Sequence, residues 1–258
     1  MKKVSIVTIV KNDSAGLERT VKSVSAQTFQ DYEFIIIDGA SSDGTQDVIN
    51  SLKDHMDKVI SEPDNGIYDA MNKGVANSSG EYIIFMNAGD VFASPEALEL
   101  VFSFVKGRPD VIYGDYLVDY GYATRLLHGK SAEKIWQGML TSHQSTLVRT
   151  ELMRSYPFDL NLKIGADFGT LYRLAVKGCK FLYIPVTVAV IEPGGVSDRK
   201  RIQVYKEHWQ TVRRYCGFSF RIIIYYVFRI TESWLKQRVK SILPEKTVRS
   251  VIKHKADR

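Results

Sequence analysis

Short apolar runs alternate with stretches of helical periodicity through the first half of the chain. Val4-Ser5-Ile6-Val7-Thr8-Ile9-Val10 reads as a strand, and Leu17, Val21 and Val24 then recur at the spacing that lines one helix face across residues 14–27. Phe34-Ile35-Ile36-Ile37 is wholly apolar and ends in Asp38-Gly39, the pattern of a strand covered on both faces. A second helix is expected over residues 45–52, and Tyr82-Ile83-Ile84-Phe85-Met86 is another buried strand. Ser94-Pro95 offers an N-cap followed by proline at the first helical position. This β-α-β-α-β order predicts a mostly parallel sheet with helices on its faces. Strands are expected further on at 110–115, 145–149 and 181–190, with a helix over 167–177 closed by Gly178. Glu192-Pro193-Gly194-Gly195 reads as a loop, with Gly194 to Ser197 a flexible segment able to close over a site.

Composition narrows the class. With 45% hydrophobic and 25% charged residues among 258, the chain is globular and long enough for one large α/β domain or a domain plus an extension. Cys179 and Cys216 form neither a metal-ligand spacing nor a disulfide framework, so a reducing cytosolic setting is the simplest reading. The first apolar run stops at Lys11-Asn12-Asp13 without a small-residue cleavage site, which favours a buried strand over a secretion signal. No stretch reaches the ~20 uninterrupted apolar residues of a spanning helix. Charge is uneven: residues 199–258 hold sixteen of the 35 Lys and Arg but four of the 29 Asp and Glu. An acidic body, 1–198, thus carries a basic extension, 199–258, which calls for an anionic partner.

In open parallel sheets ligands bind beyond the carboxyl ends of the strands. Asp38 follows one buried strand, within Asp38-Gly39-Ala40-Ser41-Ser42-Asp43-Gly44-Thr45, and Asn87-Ala88-Gly89-Asp90 follows another. Between them runs Asp64-Asn65-Gly66-Ile67-Tyr68-Asp69-Ala70-Met71-Asn72-Lys73-Gly74. Each loop singly is also an ordinary turn. Together they put acidic, glycine-rich loops on one sheet edge. Carboxylates accept hydrogen bonds from bases and riboses, but they repel a diphosphate unless a divalent cation lies between. The pattern points to a nucleotide bound through metal.

These motifs resemble the inverting family 2 glycosyltransferases over roughly residues 3–200. Asp38 with Ser41, Ser42, Asp43 and Gly44 resembles the family's "DGSSDGT" nucleoside loop. Ala70 to Gly74 followed by Gly80-Glu81-Tyr82-Ile83 resembles its "ARNxG…GEYI" passage, and Asn87 to Asp90 stands where it places its metal-binding "DxD". The variant looks closest to transferases of bacterial exopolysaccharide and O-antigen assembly, of the colanic-acid type. The resemblance implies a GT-A fold, Rossmann-like with a mostly parallel central sheet, plus a helical basic extension. It implies that Asp38, Ser41 and Asp43 serve the nucleoside, with Thr8 or Ile9 near the ribose or base through backbone atoms. Asp69, Asn72 and Lys73 fall on the donor side, Lys73 nearest the phosphates. Asp90 would bind Mn²⁺ or Mg²⁺ bridging those phosphates, with Asn87 either a weak ligand or a support behind the ligands. Two positions depart from the pattern. Asn87 and Gly89 replace the motif's two aspartates, and Met71 replaces an arginine facing the diphosphate, which puts more weight on Lys73 and the metal.

An inverting transfer needs a carboxylate beside the acceptor hydroxyl. The family carries it at the start of a helix, and Ile164-Gly165-Ala166-Asp167-Phe168 fits; the alternative for Asp167 is a helix N-cap. His143 and Gln144 recur in the same subgroup and are candidates for contact with acceptor or phosphate, or for an ordinary loop role. In the extension, Trp209, Phe218, Phe220, Phe228 and Trp234 lie among Arg213, Arg214, Arg221, Arg229 and Lys236. Rings mixed with cations suit helices lying on anionic lipid, the alternative being helices packed on the body. The resulting expectation is transfer of a hexose or N-acetylhexosamine from a nucleotide sugar, UDP-linked by preference, to a polyprenyl-diphosphate-linked glycan. The enzyme would be cytoplasmic and peripheral on the inner face of a bacterial plasma membrane. A nucleic-acid-binding module centred on the tail leaves the acidic loops unexplained, so no nucleic-acid partner is expected. A catalytically inactive scaffold is the other alternative.

Overall fold

The structure, a computed structural model, describes residues 2–242; residues 243–258 of the basic extension lie outside the described residues. Strand β1 (Val4–Val10), helix α1 (Ser14–Ser25), β2 (Tyr32–Asp38), α2 (Thr45–Ser51), β3 (Lys58–Ser61), α3 (Ile67–Asn77) and β4 (Tyr82–Phe85) form the first half. There follow β5 (Val91–Phe92), α4 (Ala97–Phe104), β6 (Val111–Asp119), β7 (Thr124–Leu127), β8 (Thr146–Arg149), α5 (Thr150–Ser155) and α6 (Ala166–Val176). Strand β9 (Phe181–Ile191) leads to α7 (Val196–Arg199), α8 (Arg201–Cys216) and α9 (Phe220–Ile242).

One sheet holds the described strands in the order β3-β2-β1-β4-β8-β6-β9-β5, with β7 paired to β6. Strands β3, β2, β1 and β4 are mutually parallel, and β8 is antiparallel to both β4 and β6. The chain leaves β1 for β2 on one side and returns to β4 on the other. The crevice at this reversal opens at the carboxyl ends of β1 and β4, where open α/β sheets take their ligands.

Alternation along the buried strands feeds two cores. Val4, Ile6, Phe34, Ile36, Tyr82 and Ile84 pack with Leu17, Val21 and Val24 of α1 and with Leu98 and Val101 of α4. On the other face Val7, Ile35, Ile83 and Phe85 meet Met71 of α3, Phe168 and Leu171 of α6, and Val212 of α8. Helix α3 lies so close to β1 that a Cβ on Gly74 would stand 2.6 Å from Val7 Cγ1. Met71 is 1% exposed within that core, which explains an apolar residue where charge was expected.

Three details differ from the sequence reading. Helix α4 starts at Ala97, and Ser94 Oγ accepts from the Glu96 N–H at 3.2 Å, so Ser94-Pro95 makes a turn before the helix rather than its cap. Residues 196–199 form one helical turn instead of continuing a loop. The charge boundary near Ser197 and Asp198 is not a break in packing. Tyr226 Oη of α9 donates to Trp136 O at 2.8 Å, Tyr225 Oη donates to Gln137 O at 2.9 Å, and the Trp209 and Tyr226 rings stack. Among the described residues no helix is long and apolar enough to cross a membrane.

Candidate active site

The loop after β2 is built around Asp38. Its carboxylate is fully buried and accepts from the Ser41 N–H at 3.2 Å, from Ser61 Oγ at 2.6 Å and from Gln46 Nε2. Asp43 accepts from the N–H and hydroxyl of Thr45 at the start of α2, and the Thr45 hydroxyl holds its carboxyl below the usual range. Asn12, with φ of 53°, ties the ends of β1 and β2 together: its N–H donates to Ser41 Oγ and its Oδ1 accepts from the Ser42 N–H, both at 2.8 Å. Asp38 thus shapes the loop from beneath, with Gln46 and Ser61 both on Oδ2. Thr8 is equally committed, donating to Met86 O at 2.6 Å, while Ile9 O accepts from the Ala88 N–H at 3.2 Å. The Ile9 carbonyl thereby aligns the ends of β1 and β4.

The segment before α3 closes on itself. Lys73 Nζ lies 2.8 Å from Glu62 Oε1, 2.7 Å from Pro63 O and 3.8 Å from Asp69 Oδ2. Hydrogen bonding to Glu62 raises its pKa. Asp69 in turn accepts from the Asn65 N–H at 2.9 Å. Lys73 is thus paired within its own loop by Glu62, with Asp69 nearby. Asn72 faces the 158 loop: Oδ1 accepts from the Phe158 N–H at 2.9 Å and Nδ2 donates to Phe158 O at 3.0 Å. Both ends of that amide hold the backbone of Phe158, so Asn72 braces the 158 loop, with a second N–H and a second lone pair still free.

The remaining candidates converge. Gln144 Nε2 donates to Asp90 Oδ2 at 2.5 Å. Its neighbour His143 meets Asn87 Nδ2 through Nε2 at 2.9 Å and Asp167 Oδ2 through Nδ1 at 3.6 Å. With Nε2 accepting, the ring proton sits on Nδ1, facing Asp167. Asp167 Oδ1 also accepts from the Phe168 N–H at 2.8 Å and lies 3.2 Å from Tyr68 Oη. Helix α6 is capped at Gly165, so Asp167 stands inside its first turn and is not the N-cap. Burial pushes the Asp167 carboxyl up, but the His143 ring N–H facing it and the Phe168 N–H outweigh that and hold the group below the usual carboxylate range. At Asp90 burial prevails and raises the carboxyl to about 6. Among the described residues Asn87 Oδ1 is buried with no hydrogen-bond partner.

The family model for "Glycosyl transferase family 2" matches residues 5–173, well over half of the chain. The chain belongs to glycosyl transferase family 2. An uncharacterized glycosyltransferase of Mycobacterium tuberculosis is 30% identical over 204 residues, covering 76% of this chain and 78% of its own. Among solved structures, the mannosyltransferase of Pyrobaculum calidifontis, in complex with GDP-Man and Mn2+, has a TM-score of 0.69 at 15% identity. That alignment covers 97% of this chain and 78% of the other. S. aureus TarS 1-349, in complex with UDP-GlcNAc, has a TM-score of 0.68 at 15% identity, covering 88% and 72%. These structural likenesses are of fold. The doubly wound sheet and helical C-terminal region expected of a GT-A transferase are both present.

Within this family 2 enzyme, Thr20 of α1 is a site residue that sequence reading missed. Its hydroxyl is fully buried, lies 2.7 Å from Asp90 O and 3.2 Å from Asn87 O, and accepts from the Gly89 N–H at 3.1 Å. Gly89 has φ of 95°, which a side chain there would strain. Thr20 therefore pins the 87–90 turn to α1. It sits in an ordinary amphipathic helix, where no sequence signal distinguishes it.

Proposed function

We propose that this enzyme moves a hexose or N-acetylhexosamine from a nucleoside-diphosphate sugar, UDP-linked by preference, to a hydroxyl of a lipid-linked saccharide, with inversion. One observation carries the reading: the adjacent residues His143 and Gln144 join Asp90 and Asn87, beyond β4, to Asp167 on α6. A donor-side acid and an acceptor-side acid are thereby held in one frame of polar contacts, closed by the 3.6 Å approach of His143 to Asp167. Asp167, kept ionised by His143, accepts the proton of the acceptor hydroxyl. The acceptor oxygen bonds to the anomeric carbon from the face opposite the nucleotide. The carbon–oxygen bond to the diphosphate breaks, and its electron pair leaves with the nucleoside diphosphate.

A divalent cation, Mn²⁺ or Mg²⁺, fits the residues present. Among the described residues no cluster of three or more His, Cys, Asp and Glu holds a metal by itself. The desolvated Asp90 carboxylate and the orphaned Asn87 Oδ1 are hard oxygen donors, and such a site leaves further positions to substrate phosphates and water. When bound, the ion stabilises charge on the departing diphosphate. The complexes of the mannosyltransferase and TarS support a nucleotide-sugar donor.

A lipid-linked acceptor, here a polyprenyl-diphosphate-linked glycan of surface polysaccharide synthesis, is favoured by α9. Phe220, Ile224 and Phe228 are 62–73% exposed on this helix, with Arg221 among them. Apolar residues beside cations suit the anionic inner face of a bacterial plasma membrane. The testing experiment incubates purified protein with Mn²⁺ and single nucleotide sugars and measures nucleoside diphosphate release. At least one donor should be turned over. Asp90→Ala and Asp167→Asn should each reduce release at least about 100-fold. Silence with every donor, or full activity of Asp167→Asn, overturns the proposal.

A further inference from the structure

The segment that presents Asp167 is held by a residue far along the chain. Gly165, which caps α6, has no side chain to satisfy the N–H groups around the helix start. Glu207 of α8 supplies that function. Its Oε2 accepts from both the Ile164 and Gly165 N–H groups at 2.9 Å, and its Oε1 accepts from Gln203 Nε2 at 2.9 Å. Glu207 is 8% exposed. Next to it, the His208 ring stacks on Phe168 with centroids 4.0 Å apart. Contact is tight: a Cβ on Gly165 would lie 3.2 Å from His208 Cδ2 and 3.3 Å from Glu207 Cβ. From the opposite side, Tyr68 Oη donates to Ile164 O at 2.5 Å.

A buried carboxylate is a costly way to pack two helices, since an apolar side chain would serve α8 as well without desolvation. Its presence is explained by the two N–H groups it satisfies. Those groups lead directly into the turn that carries Asp167, and negative charge at a helix N-terminus is favourable. We infer that Glu207 is a positioning residue for the base, so that α8 is a working part of the active site although the family match ends at residue 173. This rests on Asp167 being the base.

The test compares Glu207→Ala, Glu207→Asp and Glu207→Gln in the full chain with Val212→Ala, a buried apolar position on the same helix. Each is read by nucleoside diphosphate release, by melting temperature and by amide hydrogen exchange at residues 164–168. Misplacing a catalytic group by about an ångström costs up to about 100-fold in rate. Glu207→Ala should lower kcat about 10- to 100-fold, leave the donor KM within about twofold, and speed exchange at Ile164 and Gly165 at least about tenfold. Glu207→Asp, which withdraws the carboxylate by one methylene, should lose about tenfold in kcat. Glu207→Gln keeps an oxygen facing the two N–H groups and should stay within about fivefold. Val212→Ala should lower the melting temperature with kcat within about twofold. Should Glu207→Ala fail to fold, the contrast between Asp and Gln decides. Equal kcat in the Glu207 variants and wild type, or a kcat loss in Val212→Ala that matches theirs, overturns the inference. If wild type releases no nucleoside diphosphate from any donor, the functional reading fails instead, and the hold on the 164–168 segment is judged by exchange alone. Unchanged exchange in the Glu207 variants then sinks it.

Discussion

Two carboxylates at the site are tuned in opposite directions by their surroundings. Asp90 loses water and gains only one amide donor, so its carboxyl is pushed up to about 6. Asp167 is also desolvated, yet His143 and the Phe168 N–H more than offset that burial. A carboxylate so held stays ionised through the neutral range, which is the form that accepts a proton. The donors also weaken it as a base, a compromise that His143 sets. His143→Gln removes the ring N–H that faces the carboxylate, so the Asp167 pKa should rise. The acid limb of the kcat/KM profile should then move to higher pH. A profile of nucleoside diphosphate release from pH 4 to pH 8 checks this, and a limb that stays put or moves to lower pH removes His143 from the role.

Helix α9 presents two unlike faces. Tyr226 is fully buried and Ser233 nearly so, whereas Phe220, Ile224, Phe228 and Leu235 stand 50–73% exposed along the other side. Burying four such side chains in lipid is worth several kcal/mol, at about 1.5–3 kcal/mol for a full side chain. Phe220→Ser with Phe228→Ser should therefore reduce sedimentation with anionic vesicles at least about tenfold while leaving the melting temperature within about 2 °C. Unaltered sedimentation would exclude this face as the membrane contact. The elements themselves were legible to different degrees. Strands β1, β2 and β4 announce themselves because burial on both faces removes polar residues from them. Strand β3 is short and largely exposed, β5 has two residues, and β7 is a hairpin edge, so none leaves an apolar signature. The acidic loops were visible as motifs, and Asn87, Asp90, His143, Gln144 and Asp167 do come together. What no motif shows is the partnering: that Asn72 clamps Phe158, that Lys73 is neutralised by Glu62, and that Thr20 and Glu207 hold the two acids' segments. Those facts arise from long-range packing of ordinary-looking helices.

At the scale of the molecule, the basic extension and the acidic body meet at a buried histidine. Burial holds His208 down at about 4 against an ordinary 6.5, with Asp167 and Glu207 opposing that fall and Arg201 and Lys130 adding to it. Above pH 6.5 the imidazole is neutral in both the folded and the unfolded chain and contributes nothing to pH dependence. Between pH 6.5 and 4 the unfolded chain takes up a proton that the folded chain refuses, so folding stability falls with pH, by about 1.4 kcal/mol per unit. Asp90 works against this trend, because its raised pKa lets the folded state bind a proton first as pH falls through about 6. The carboxyls held low, among them Glu33, Glu81 and Asp159, act only below the ordinary carboxylate range. The raw stability curve is thus flattened by compensation, and the contribution of His208 emerges as a difference. Urea denaturation of wild type and His208→Phe in chelator, at pH 7.0 and pH 5.0, isolates it. Phenylalanine keeps the stack on Phe168 and cannot titrate. On moving to pH 5.0 the variant should gain about 2 kcal/mol relative to wild type, whatever their offset at pH 7.0. Parallel curves would mean that His208 is protonated in the folded protein, and that the extension docks on the body through an ion pair with Asp167 rather than through a neutral stacked ring.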